Sequence, residues 1–267
     1  MNQREYNPII VATVLCVVCS LAVSVAAVSL KGKQDSNVAL DIKKNILDAS
    51  GLSTGEYGRP AKELTLEEIE NLYQRVSVKV VDLETGEYDT TFKTEEDIQK
   101  FDARKSVTKD GVQIVDPQFN PGLDKRPRKQ KVYFVKKSPD DDKIQQVVLP
   151  INGQGLWSTL YGYIAIKSDL KTIQGLSFYE HAETPGLGGE VDNQKWKESW
   201  EGRMLFDPEG TPAAQVFKGT APSDNPYAVD GLSGATITSA GVQNLIRYWA
   251  SDDGFGPFLA KLKQEIN

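Results

Sequence analysis

Residues 9–30 form a run of 22 positions without a charge, bounded by Arg4 and Glu5 before it and by Lys31 and Lys33 after it. In a bilayer such a stretch must satisfy its own backbone hydrogen bonds, and as a helix it is long enough to cross a hydrocarbon core of about 30 Å. The run predicts an uncleaved transmembrane helix over 9–30, preceded by a short tail over 1–8. Ser24-Val25-Ala26 has the small-x-small form of a signal-peptidase site, but the run exceeds an ordinary signal core and continues past that point. Lipoprotein processing is disfavoured because the bulky Leu15 and Val18 directly precede Cys16 and Cys19. The two lysines after the span outnumber the one arginine before it, so flanking charge does not place the rest of the chain outside the cell.

Those two cysteines are the only ones in the chain. Their spacing puts them on one helix face, where a redox or metal role competes with service as small apolar side chains. Beyond Cys19 no thiol remains for a disulfide, a Cys-ligated zinc or an iron–sulfur cluster. His181 is the single histidine, which excludes multi-His metal sites and bis-His haem. A Ser-His-Asp hydrolase would have to use it, and no Gly-x-Ser-x-Gly elbow accompanies it. No metal is expected, and a net charge of −6 argues against a nucleic-acid partner. If this chain moves electrons, it needs an organic cofactor.

The stretch Asp230-Gly231-Leu232-Ser233-Gly234-Ala235-Thr236-Ile237-Thr238-Ser239 offers one. Ser233, Gly234 and Ala235 carry little bulk, so backbone amides there can approach a phosphate closely, and a helix beginning near Ser239 would aim its positive end the same way. Val242, Leu245, Ile246 and Trp249 mark the buried face of that helix, with Ser239 as its N-cap and Asp252-Asp253-Gly254 closing it. Thr236 and Thr238 are equally nucleophilic by composition, and an ordinary small-residue turn reads the same way. Two further segments, Gly153-Gln154-Gly155-Leu156-Trp157 and His181-Ala182-Glu183-Thr184-Pro185-Gly186-Leu187-Gly188-Gly189, are each compatible with a plain turn. The second would also let main chain lie against a flat ring, with Leu187 covering a face and Glu183 and Thr184 offering polar contacts.

Taken together and in this order, the three segments resemble the FMN-binding domain family shared by the flavin-carrying subunit of the sodium-translocating NADH:quinone oxidoreductase and its counterpart in the Rnf electron-transport complex. The resemblance implies that a flavin transferase joins FMN through its phosphate to Thr236 in a phosphoester bond. Asp230, Ser233, Gly234, Ala235, Thr238, Glu183, Thr184, Leu187, Gly188 and Trp157 would surround the cofactor. It further implies a periplasmic domain held at a bacterial inner membrane, in a multi-subunit respiratory complex that oxidises NADH, reduces a quinone and moves sodium ions. No glycine-rich dinucleotide fingerprint is present, so NADH chemistry would belong to other subunits. This chain would be a flavin relay without catalysis of its own. An Rnf-type ferredoxin-linked subunit is the nearest alternative, and a membrane-anchored extracytoplasmic ligand-binding module is one of a different class.

The remaining pattern predicts an α+β fold with a largely antiparallel sheet and flanking helices. Helices are expected over 38–51, with Ile42, Ile46 and Leu47 on one side, after the capping box Thr65-Leu66-Glu67-Glu68, over 94–100, over 192–203, and after Pro257 with Phe258, Leu259, Leu262 and Ile266 inward. Strands are expected over 76–83, 131–136, 144–149, 156–167, 172–179 and near 214–218, with 106–127 irregular. The soluble region divides into a helical and irregular part, 31–130, and an FMN-binding domain, 131–267. The basic run over 125–131 reads as a solvated loop offset by Asp140-Asp141-Asp142, and three of the four tryptophans as core, with Trp157 free to line a ring.

Overall fold

A computed structural model describes residues 8–266; the expected tail over 1–7 lies outside them. The chain forms two compact units, 1–42 and 43–267. In the first, helix α1 starts at Pro8 and runs on into the second unit, to Ala49, so the predicted span and the predicted helix over 38–51 are one element of 42 residues. Nothing between them stops a helix: the linking Lys31-Gly32-Lys33-Gln34-Asp35-Ser36-Asn37 has no proline, and a single interior glycine costs only about 1 kcal/mol. Among the described residues α1 is the one helix long and apolar enough to cross a membrane.

In the second unit α2 (Leu52–Tyr57) and α3 (Leu66–Tyr73) follow. Helix α3 opens on the predicted capping box, with Thr65 Oγ1 accepting from the Glu68 amide at 3.3 Å and Glu68 Oε2 accepting from the Thr65 amide at 2.7 Å. After β1 (Val76–Asp82) come α4 (Glu95–Lys100) and α5 (Ala103–Asp110), then the short pair β2 (Val112–Gln113) and β3 (Lys125–Arg126). The stretch expected to be irregular therefore contains most of a helix, begun by Asp102, whose carboxylate accepts from the Arg104 and Lys105 amides. The strands β4 (Lys129–Lys136), β5 (Ile144–Gln154), β6 (Thr159–Lys167) and β7 (Ile173–Glu180) join β1 in one antiparallel sheet, in the order β1-β4-β5-β6-β7. The helix expected over 192–203 is reduced to α6 (Gln194–Glu198), preceded by a 3-10 turn over Gly188–Asp192. Then β8 (Gln215–Phe217) pairs in parallel with β9 (Ala228–Asp230), a strand the sequence did not announce, before α7 (Thr236–Ala250) and α8 (Gly256–Ile266).

Alternation along the strands sorts the sheet into two buried faces. Val132, Phe134, Val147, Leu149, Ile151, Leu160 and Ile164 join Val242, Leu245, Ile246 and Trp249 of α7 and Phe258, Leu259 and Leu262 of α8 in one core. Ile266, expected inward, is exposed at the helix end. On the other face the end of α1 lies against β7: a Cβ on Gly175 would fall 2.5 Å from the Ala49 carbonyl oxygen, and Ser177 Oγ donates to Asn45 Oδ1 at 3.2 Å. Ile46, Leu47 and Ala49 are fully buried there.

The basic run is built into the sheet and is not a loop. Arg128 pairs with Asp82 at 2.9 Å and Lys129 with Asp89 at 2.6 Å, while Arg126 is buried. The offsetting charge comes from β1 and the segment after it, and not from residues 140–142.

Candidate functional site

Three glycine-rich segments far apart in sequence meet at the start of α7. Residues 155–158 are the tight turn of the β5–β6 hairpin, so the strand expected from 156 begins at Thr159. This hairpin lies close on α7: a Cβ on Gly241 would sit 2.3 Å from the Gln154 carbonyl oxygen, and Trp249 Nε1 donates to the Asn152 carbonyl at 2.7 Å. Residues 181–188 form the loop leaving β7, and 230–235 the loop leaving β9.

Helix α7 begins at Thr236, three residues before the expected start. Ser239 is not its cap; the buried Ser239 hydroxyl accepts from the Leu232 amide at 3.1 Å and fixes the preceding loop. Ala235 takes the N-cap position with no side-chain hydrogen bond to the first turn. The helix therefore presents its first amides and the positive end of its dipole beside a small-residue loop, a geometry suited to a phosphate.

The two threonines differ sharply. Positions two apart on a helix point about 200° away from each other. Thr236 is exposed, whereas Thr238 is 0% exposed and donates its hydroxyl to Glu183 Oε2 at 2.6 Å.

Glu183, expected as a cofactor contact, is instead an interior residue. It is buried, and its Oε1 accepts from the amides of Trp157 at 2.9 Å and Ser158 at 3.2 Å. Burial pushes its carboxyl up, but the Thr238 hydroxyl and the amides of Trp157, Leu156 and Ser158 outweigh that and hold it below the usual carboxylate range. Glu183 is thus ionised at neutral pH, with its oxygens turned to the protein. Gly155 and Gly188 make room for it, since a Cβ on either would lie 2.5 or 2.6 Å from a carboxylate oxygen. Gly188 is accordingly buried packing, not open main chain.

The other expected residues are placed as follows. Ser233 and Gly234 are exposed in the loop; Gly234 has φ +69°, and Leu187 Cδ2 lies 2.8 Å from where its Cβ would be. Ala235 is buried, and Asp230 Oδ1 is occupied by the Ala221 amide at 2.8 Å. Thr184 is exposed, and its carbonyl accepts from the Leu187 and Gly189 amides, which closes the loop. Trp157 is 68% exposed and Leu187 43%, beside Ile237 at 59%, a residue the sequence reading passed over. Its signal was an apolar side chain on the outward phase of an amphipathic helix. Trp196, Trp200 and Trp249 are buried, as expected.

His181 accepts from the Glu183 amide at Nδ1 and pairs through Nε2 with Asp192 at 2.8 Å, so both ring nitrogens hold the loop. Among the described residues no group of three acidic, histidine or cysteine side chains is arranged to hold a metal. An exposed hydroxyl, uncapped amides at a helix start and three exposed apolar side chains suit a ligand with a phosphate and a flat apolar ring.

The family model described as FMN-binding domain matches residues 155–251, which contain all of these groups. The NqrC subunit of the Na(+)-translocating NADH-quinone reductase of Pseudomonas aeruginosa is 42% identical over 269 residues, covering 98% of this chain and 98% of that protein. The Yersinia pestis protein of the same name is 39% identical over 266 residues, covering 98% and 95%. Among solved structures, Shewanella oneidensis NqrC aligns with a TM-score of 0.73 and 29% identity, over 87% of this chain and 99% of that one. The corresponding reductase subunit from Parabacteroides distasonis aligns at 0.63 and 25%, over 86% and 96%.

Proposed function

The chain belongs to the NqrC family of Na(+)-translocating NADH-quinone reductase subunits, and from that membership we propose that Thr236 is the residue to which FMN is joined by a phosphoester. As a member it is a non-catalytic electron-transfer subunit of a multi-subunit sodium-translocating complex, and it carries FMN. Membership selects this subunit over the Rnf-type alternative and over a ligand-binding module. Its single N-terminal apolar helix supports a single-pass inner-membrane topology.

What supports Thr236 is the contrast with Thr238: one hydroxyl is exposed at the helix start, the other is buried and already hydrogen-bonded. The uncapped amides of the first turn of α7 and the Ser233-Gly234 loop would hold the phosphate. Leu187, Trp157 and Ile237 would shield the ring from water. When bound, FMN supplies one- and two-electron transfer, which no side chain here can provide. A phosphoester at the helix start keeps the cofactor from being lost while leaving its ring free of covalent change.

We assign the FMN-binding domain to residues 131–267, with 31–130 as its helical and irregular N-terminal part. The soluble region belongs on the periplasmic side, where a flavin transferase reaches Thr236 and neighbouring subunits supply and remove electrons. The full chain, co-expressed with a flavin transferase and digested, is expected to show one FMN less a water on the peptide containing Thr236. Thr236→Ala is expected to abolish that gain; an unmodified native peptide, or a modified Thr236→Ala chain, would refute the assignment.

A further inference from the structure

We infer that Glu183 and Thr238 form a buried clamp that sets the rotational phase of the first turn of α7 and so presents the Thr236 hydroxyl to the flavin transferase. The inference rests on Thr236 being the attachment residue. Neither clamp residue touches the cofactor; both are positioning residues.

A helix start is usually fixed by an N-cap side chain, and α7 has none, because Ala235 stands in that position. The hydrogen bond from Thr238 to Glu183 does the equivalent work from inside. Holding Thr238 inward leaves Thr236 about 200° around the axis, facing outward. The same carboxylate holds the hairpin turn through the Trp157 and Ser158 amides, so one side chain registers all three segments of the site. Gly155 and Gly188 leave no slack around it, with virtual Cβ positions 2.5 and 2.6 Å from its oxygens. With its proton committed and no surface exposed, the Thr238 hydroxyl cannot compete as a nucleophile.

The step that benefits is a phosphoryl transfer. A bond forms between Thr236 Oγ and the flavin-bearing phosphorus of an FMN phosphoanhydride, such as a flavin dinucleotide. The anhydride P–O bond breaks, a nucleoside monophosphate departs, and the transferase takes up the hydroxyl proton. No electrons are exchanged.

The test is a time course of FMN incorporation into the purified full chain, with transferase and flavin dinucleotide in excess, reading rate constant and final extent separately. A folding defect lowers the extent at an unchanged rate, whereas loss of positioning lowers the rate. Glu183→Gln and Thr238→Val are expected to slow incorporation at least tenfold while still reaching one FMN per chain. Thr238→Ser, which restores the donor, is expected to stay within threefold of native. A native rate constant in Glu183→Gln or Thr238→Val, a Thr238→Ser rate as low as that of Thr238→Val, or flavin on Thr238 in Thr236→Ala would overturn the clamp. If the native chain takes no flavin, or Thr236→Ala takes it at another residue, the attachment assignment fails instead.

Discussion

At Gly188 a methyl group would meet Glu183 Oε2 at 2.6 Å and Thr238 Oγ1 at 2.7 Å, with no flexible chain end able to yield. Gly188→Ala is therefore expected to destabilise the chain by about 1–3 kcal/mol, in the range of overpacked interiors. Gly55→Ala, where nothing lies within 4 Å of the new Cβ, is expected to be neutral or slightly stabilising. Urea unfolding of the two variants checks both. The importance of position 188 was not readable from the sequence, where it looked like main chain laid open to a ring. Its neighbour Glu183 misled for a related reason: its partners lie 25, 26 and 55 residues away. The inwardness of Thr238 was readable. It stands four residues before Val242 and seven before Leu245, on the same helical face, and extending that face backwards separates it from Thr236.

Among the elements, β1 and β4 are tied to the segment between them by charge as well as by their ladder. Burial pushes the Asp89 carboxyl up, but Lys129 and Thr91 together hold it at about 2, against a usual value of 3.8. A carboxyl lowered on folding adds stability that is complete above its unfolded value and disappears as pH falls through its folded one. Asp89→Asn is accordingly expected to lower stability at neutral pH, with the difference from native shrinking between pH 4 and pH 2; denaturant titrations across that range measure it. Longer elements were legible because periodicity and capping agree with the tertiary fold, as in α3 with its capping box or β5 and β6 with their alternation. The parallel pair β8–β9 was half missed, since three residues, Ala228–Asp230, are too few to alternate. The start of α7 was misplaced because Ser239 resembles a cap, yet its hydroxyl serves the Leu232 amide from within the helix.

For the whole molecule, the boundary between membrane anchor and soluble core does not coincide with an end of α1. Ile46, Leu47 and Ala49 belong to that helix and are 0% exposed, and Asp48 Oδ1 accepts from Ser53 Oγ and the Ala61 amide, both at 2.7 Å. Removing residues 1–32 is expected to leave the unfolding midpoint of the soluble unit unchanged. Removing 1–50 should cost on the order of 3–6 kcal/mol, from Ile46 and Leu47 alone. Calorimetry on both truncations decides between these outcomes. The Glu183 junction carries a different consequence at this scale. Thr236 stands ready only after a hairpin turn, a loop and a helix start, drawn from distant stretches of chain, have come into register around one buried carboxylate. A transferase that requires that register reads tertiary structure, not a short string of letters. The colour of the mature protein then certifies that folding preceded attachment, and a chain that failed to fold enters assembly unmarked, distinguishable from its working siblings.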